Sequence, residues 1–384
     1  MSTALIWFLA FCAATQLIGT ALALSAMTRG RPATARHDRP GISVLRPVCG
    51  LENQLEQTLA TTFAADYPLF EILFCVASPS DPAIPVVNRL IAAHPAIAAR
   101  LLIGDDRISG NPKLNNLVKG WQAARHPMIL MADSNVLLPP DYLTRLLDQW
   151  TPGTGLVSSP PIGVQPDGFW ARLECAFLNT FQARLQLASA RLGNGFAQGK
   201  MLFWSRDLLE KSGGLAALGH EMAEDVASTK MVRATGLKVR LPGQLFAQPI
   251  GKRRFMAVWS RQVRWSRVRR LGFLIYFLPE LFAGAALPFA ALLALVATGL
   301  TVWAIPVFLV LWYGVEFVAA RVGDWPRSPA DITAWLLRDL LLPPLWLASW
   351  TGSGFEWRGN VMTTAEVARD PADQTLTQPP SPGA

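Results

Sequence analysis

Scarcity narrows this chain before abundance does. It has four cysteines, Cys12, Cys49, Cys75 and Cys175, and no two of them form a Cys-x-x-Cys pair. A paired-cysteine redox or zinc motif is thereby excluded, and the thiols read as reduced and buried. Histidine is as sparse. His37, His94, His126 and His220 show no metal-ligand spacing, and the first three read as surface groups. Charge is missing altogether from Ala4 to Met27, where Gln16 is the one strongly polar side chain. Nothing basic precedes that run. A secretory signal carries its basic residues ahead of the apolar stretch, so the Ala21-Leu22-Ala23 resemblance to a cleavage site is outweighed and the run reads as an anchor. Arg29, Arg31, Arg36 and Arg39 all follow it. By the positive-inside rule, the chain after the anchor stays in the cytoplasm.

Apolar residues are plentiful. Of 384 residues 51% are hydrophobic and 14 are Trp. The net charge of +8 raises nucleic acid as a partner. The cations adjoin apolar runs, however, so a membrane surface or a phosphorylated substrate suits them better. From Leu281 to Ala320 the only ionisable group is Glu316. About 40 residues of helix cover roughly 60 Å, which is two crossings, with a turn expected near Thr298-Gly299. Arg321 and Arg327 mark the return to the inside. Ala334 to Trp350 holds Arg338, Asp339 and Pro343-Pro344, which leaves a re-entrant, interfacial or third crossing segment open. The tail beyond Asp370 is rich in Pro, Gln, Thr and Ser and reads as disordered.

Between the apolar ends, strand and helix patterns alternate. Ile42–Leu45, Glu71–Ala77, Leu101–Ile103 and Met128–Ala132 read as strands, and Ile84–Ala93 and Leu114–Ala124 as helices. Alternation of this kind predicts an α/β fold with a mainly parallel sheet, whose ligands bind beyond the carboxyl ends of strands. Asp133 stands at such an end.

Seven segments then carry a resemblance: Ser43-Val44-Leu45-Arg46-Pro47, Asp66-Tyr67-Pro68, Asp81-Pro82-Ala83-Ile84, Asn111-Pro112-Lys113-Leu114-Asn115-Asn116, Ala132-Asp133-Ser134, Ala223-Glu224-Asp225 and Arg261-Gln262-Val263-Arg264-Trp265. Their order and spacing resemble the ceramide glucosyltransferase family, and bacterial relatives of similar look act on hopanoids. The resemblance implies a GT-A fold, UDP-sugar as donor, a lipid hydroxyl as acceptor and inversion at the sugar. It implies that Asp81, Lys113, Asn115, Asp133, Arg261, Arg264 and Trp265 bind the nucleotide sugar. Asp133 would hold Mg2+ or Mn2+, and Asp225 would act as general base. Each residue has a plainer reading. Asp133 and Asp81-Pro82 are turn formers, Lys113 is a solvated residue at a helix start, and Asp225 with Glu224 is an acidic first turn. The basic stretch Lys252 to Arg270 is a membrane-surface helix. Asp133-Ser134-Asn135 lacks the second carboxylate of an Asp-x-Asp motif, which predicts a loosely held metal. Gln182-Ala183-Arg184 stands where eukaryotic members have His-Pro-Arg, and Cys49 where a lysine is usual; both bear on the acceptor and the sugar.

The expected layout is an anchor at 1–28, a cytoplasmic GT-A domain at 29–252, a basic interfacial segment at 253–270, a membrane region at 271–350 and a tail at 351–384, set in the bacterial inner membrane. Ceramide is the leading acceptor, with hopanoid and diacylglycerol behind it. A processive polysaccharide synthase would need more spans, and a non-catalytic sugar-nucleotide sensor would not need this set of acids and arginines. A reporter fused after Arg39 is expected to be cytoplasmic. Cleavage of the 41–265 region by protease added outside intact cells would contradict this orientation.

Overall fold

The computed structural model describes residues 2–28 and 38–352, together with two short strands, Phe355–Trp357 and Asn360–Met362. Arg29, Arg31, Arg36, His37 and the tail beyond Asp370 lie outside the described residues.

Seven strands form the central sheet, and two more pair beside it. In chain order they are β1 (Ile42–Val48), β2 (Phe70–Val76), β3 (Ala99–Ile103), β4 (Met128–Ala132), β5 (Thr154–Ser158), β6 (Pro161–Asp167), β7 (Met201–Ser205), β8 (Lys238–Arg240) and β9 (Phe246–Lys252). The sheet order is β3-β2-β1-β4-β7-β5-β8, and β6 pairs with β9. β1, β2, β3 and β4 run parallel; β1, β2 and β4 are buried, as parallel strands covered by helices are, and β3 is the partly exposed edge. β4 meets β7 antiparallel, with Ala132 opposite Met201. That reversal brings the residues just before β7 to the end of β4, where Asp133 sits. The Asp133 N–H donates to the Lys200 carbonyl at 3.0 Å.

The four expected strands and two helices are present with ends moved by one to three residues; Met128–Ala132 and Ile84–Ala93 are unchanged. The second helix begins earlier, at Pro112. Pro112 suits the first turn, and Asn111 Oδ1 caps it by accepting from the Lys113 and Leu114 N–H groups (2.9 and 3.4 Å). Two minor expectations change. His94 stacks on Phe63, with ring centroids 4.4 Å apart, and is half-buried rather than at the surface. Cys12, Cys75 and Cys175 are buried, but Cys49 is exposed.

Three stretches are long and apolar enough to cross a membrane: Thr3–Thr28, Leu274–Ala297 and Ala304–Val322. They make the chain an integral membrane protein. The second is not one straight rod. It starts as Leu274–Phe277, passes a 3-10 turn at Leu278–Phe282 and resumes at Ala286–Ala297. The turn after it uses Gly299 at φ 114°, a left-handed conformation that favours glycine.

The segment left open as re-entrant, interfacial or crossing is one continuous helix, Pro329–Ala348, which carries Pro343 and Pro344 without ending. Its charges explain its place. Arg338 Nη2 donates to both Glu316 oxygens at 3.0 Å and Arg338 Nε to Asp339 Oδ1 at 2.9 Å. Tyr313 donates to Asp339 Oδ2 at 2.9 Å, and Gln16 Nε2 to Glu316 at 3.1 Å. Arg184, also buried, adds bonds to the Thr180 carbonyl and Thr20 hydroxyl. An isolated charge among apolar helices is costly, so these two acids and two arginines are retained as a paired, hydrogen-bonded set. The set ties the first helix to those at 304–322 and 329–348.

Candidate active site

The site lies along the edge where β1, β2 and β4 end. Asp133 directly follows β4. Its Oδ1 is 2.7 Å from Lys113 Nζ and its Oδ2 is 2.9 Å from Lys200 Nζ. Burial by itself would raise the Asp133 pKa, but the two ammoniums hold it well below the usual carboxylate range. Lys113 is buried and also reaches Glu224 Oε1 at 2.8 Å and the Gly199 carbonyl. Burial would push this amine down; Asp133 and Glu224 more than reverse that and leave it above its ordinary value. Asn111 Nδ2 occupies the second Glu224 oxygen at 2.9 Å.

Asp225, beside Glu224, opens the helix Glu224–Ala234. Its Oδ2 accepts from the Gly199 N–H at 3.0 Å and its Oδ1 from the Val226 N–H at 2.8 Å. Gly199 thus serves Asp225 with its N–H and Lys113 with its carbonyl. A Cβ there would come within 2.7 Å of Glu224 Oε1, so any larger residue would require the Glu224 carboxylate to move from its partners. Burial first, and then the Glu224 charge, raise the Asp225 pKa to about 6 against the two backbone donors. Its place in the acidic first turn and its role as a tuned carboxylate are compatible.

Asp225 also lies on the wall of a cavity of about 340 Å³ between this domain and the membrane region. Leu185, Phe196, Val226, Trp265, Phe273 and Phe277 contribute its apolar surface. Polar groups punctuate it: Arg269 pairs with Glu280 at 2.8 Å, and Arg233 donates to Asn194 Oδ1 at 2.7 Å.

The remaining sequence-predicted residues fall in different places. Asp81 lies beyond β2 on the same sheet edge. It accepts from the Gly50 N–H at 3.0 and 2.9 Å and from the Ala83 N–H at 2.8 Å, fixing the loop after β1. Asn115, expected to bind the nucleotide sugar, lies near the start of the helix that begins at Pro112. Its Oδ1 accepts from the Ile108 and Ser109 N–H groups and its Nδ2 donates to the Ser109 carbonyl, so its amide organises the 104–110 loop. Arg261 is partly exposed and has an acidic partner. It pairs with the fully buried Glu174, whose other oxygen holds Arg253 Nε at 2.8 Å. Arg264 is half-buried one turn further along the helix Phe255–Gly272, and Trp265 faces the cavity.

Sequence reading missed four contributors. Lys200 and Gly199 were legible only if the antiparallel β4–β7 pairing had been anticipated. Glu52 accepts from Ser134 Oγ at 2.6 Å. Arg46, buried within β1, donates to the carbonyls of Ser134 and Val136 (3.2 and 3.3 Å) and so shapes the turn that carries Asp133. Arg46 was quoted only as part of a motif.

Among the described residues, no three His, Cys, Asp or Glu side chains group as a metal site. Yet Asp133 Oδ2 and Asn135 Oδ1 converge on a single cation, the Lys200 ammonium, at 2.9 Å each. Two hard oxygens aimed at one point, with diphosphate and water to complete the shell, suit Mg2+ or Mn2+. The donor set therefore fits a divalent cation.

The sheet order and the acid–ammonium cluster at its edge define a GT-A glycosyltransferase. The structure is similar over 91% of the chain, with 18% identity and a TM-score of 0.54, to 97% of a mannosyltransferase from Pyrobaculum calidifontis in complex with GDP-Man and Mn2+, which establishes the fold. Residues 5–369 match glycosyl transferase family 21, and the chain belongs to that family. Curated relatives include ceramide glucosyltransferase 1 of Caenorhabditis elegans, 28% identical over 84% of this chain and 71% of that protein. Another is a ceramide glucosyltransferase of Komagataella phaffii, 41% identical over 28% of this chain and 22% of that protein.

The raised Asp225 pKa has a testable consequence. A carboxylate acting as base must be ionised, so kcat/KM should rise with pH and reach half its plateau near pH 6. Stability runs the other way. The folded-state value exceeds the unfolded one, so the contribution is fully present below about pH 4, the range of an unperturbed Asp, and is lost as pH rises through about 6. Asp225→Asn should flatten the upper part of that stability profile, read as Tm against pH. An unchanged Tm–pH curve would contradict the shift.

Proposed function

We propose that this protein transfers a hexose from a UDP-sugar, UDP-glucose in the first instance, to the hydroxyl of a membrane lipid, ceramide in the first instance, with inversion to a β-glycolipid. The observation that carries the reading is the Asp225 carboxylate on the wall of a largely apolar cavity beside the membrane helices. A sugar or polypeptide acceptor would have little use for such a wall, whereas a lipid presents a hydroxyl on an apolar body.

The chemistry follows from the groups in place. A lipid hydroxyl is a weak nucleophile, so Asp225 takes its proton as the oxygen attacks the anomeric carbon opposite the departing UDP. Asp225 is half-buried and sits next to Glu224, which keeps its proton affinity high enough for that task. At the other end Lys113 and Lys200 offer positive charge where the diphosphate departs, and Asp133 with Asn135 would hold the cation. A divalent cation bound there supplies neutralisation of the leaving diphosphate. Lys113 spans both halves, since it contacts Asp133 and Glu224 together. The catalytic domain faces the cytoplasm, and the membrane is the bacterial inner membrane.

A second acceptor class has one observation in its favour. The chain differs from eukaryotic members at Gln182-Ala183-Arg184, and both polar side chains there are spent internally. Gln182 donates to Gln262 at 2.9 Å, and Arg184 is buried among the membrane helices. An N-acetylglucosaminyl transfer to a hopanoid is therefore the alternative. Mass spectrometry of lipid extracts from a host expressing the chain, supplied with UDP-glucose and UDP-N-acetylglucosamine, distinguishes the two. Asp225→Asn should lower formation of the glycolipid by about 10²–10⁴-fold while UDP-sugar binding barely changes. Near wild-type glycolipid from that variant would remove Asp225 as the base and move the role to Glu224 or Glu221.

A further inference from the structure

Lys200 occupies an unusual position. Its ammonium lies 2.9 Å from Asp133 Oδ2 and 2.9 Å from Asn135 Oδ1, the two oxygens best placed for a divalent cation. The contact is built into the fold rather than being a chance surface pairing. The β4–β7 register sets Ala132 opposite Met201, and the Asp133 N–H bonds to the Lys200 carbonyl, so residues 133 and 200 face each other at the sheet end. The lysine side chain is only 17% exposed. Asp133 Oδ1 is taken by Lys113, which is further committed to Glu224 and Gly199, so Lys200 is the less encumbered of the two cations.

We propose that Lys200 is a resident cation that holds the metal position until the nucleotide arrives. This rests on the metal reading of Asp133 given above and adds an order to it. An ammonium and a divalent ion cannot share the same two oxygens, so without nucleotide the metal must displace Lys200 from its partners. When a diphosphate enters, it brings oxygens for the metal and a new anionic partner for the Lys200 ammonium. Displacement then costs little, and metal and nucleotide bind with positive coupling. The coupling keeps Asp133 and Asn135 from capturing free cations unproductively. It also places a charge, delivered by Lys200, beside the departing diphosphate. Lys200 thus acts as a positioning residue for the charge exchange.

The test is Mn2+ binding followed by the electron paramagnetic resonance of free Mn2+, using the full chain in nanodiscs with and without UDP. Without UDP, Lys200→Met and Lys200→Gln should each bind Mn2+ roughly tenfold more tightly than wild type, about the effect of removing one partly solvated competing charge. The gain in Mn2+ affinity caused by UDP should shrink by a similar factor in both. Lys200→Arg, which keeps the charge, should stay within about threefold of wild type, well inside that tenfold step. If wild type binds Mn2+ with UDP but neither neutral variant tightens the nucleotide-free affinity, the place-holder role is overturned and the metal reading survives. If wild type binds no Mn2+ even with UDP, the metal reading itself falls, and this proposal with it.

Discussion

One buried ammonium holds the site together. Lys113 touches Asp133, Glu224 and the Gly199 carbonyl at once, and among the described residues no other side chain joins the end of β4 to the start of the Glu224–Ala234 helix in this way. Asp133, Glu224 and Asp225 would repel one another if crowded without it. With it, two of the acids share a cation and the third is left with a raised proton affinity. The same contact separates their tasks. Asp133 is held ionised, suited to a cation, and Asp225 remains the acid whose charge is least favoured, suited to accept a proton. Two carboxylates in one site are given opposite proton affinities because one is paired to lysine and the other is buried beside a like charge.

The membrane region extends that arrangement. Asp225 has the Lys113 cluster on one side and the cavity under Trp265, Phe273 and Phe277 on the other. The helix Pro329–Ala348 is fixed against its neighbours by Glu316, Arg338 and Asp339, and it packs near the segment that forms the cavity floor: Trp346 stacks on Phe277 at 5.8 Å with their planes 2° apart. A paired ionic set deep among apolar helices has one favourable geometry and few alternatives. It therefore sets where the cavity lies relative to Asp225.

The parts legible in the sequence were those with a local signature. Apolar strand runs ending on Asp133, a helix starting next to Lys113 and the long uncharged ends all follow from period and composition. What escaped depended on long-range pairing. Lys200 precedes a short apolar run that gives no sign of lying antiparallel beside β4, so its meeting with Asp133 appears only once the sheet order is known. Arg261 was expected at the diphosphate because arginine forks bind oxygens in pairs. In the fold that fork meets Glu174, a fully buried acid from another helix whose own sequence context is unremarkable. Asn115 was drawn by its neighbours in the motif, yet its amide is spent on a loop only seven residues away. The prolines at 343 and 344, with Arg338 and Asp339, left the placement of 334–350 open, and tertiary packing keeps that stretch one continuous helix.

The central claim is that the cavity beside Asp225 receives the acceptor lipid. Photo-crosslinking tests it directly: the full chain in nanodiscs is exposed to a ceramide with a photoreactive group near its hydroxyl, and labelled residues are located by peptide mass spectrometry. Labels concentrated on Leu185 to Phe196 and Phe273 to Ala283, lost when unlabelled acceptor competes, are the predicted result. Labels spread over the outer faces of Thr3–Thr28 and Ala304–Val322, with none in those two segments, would contradict it.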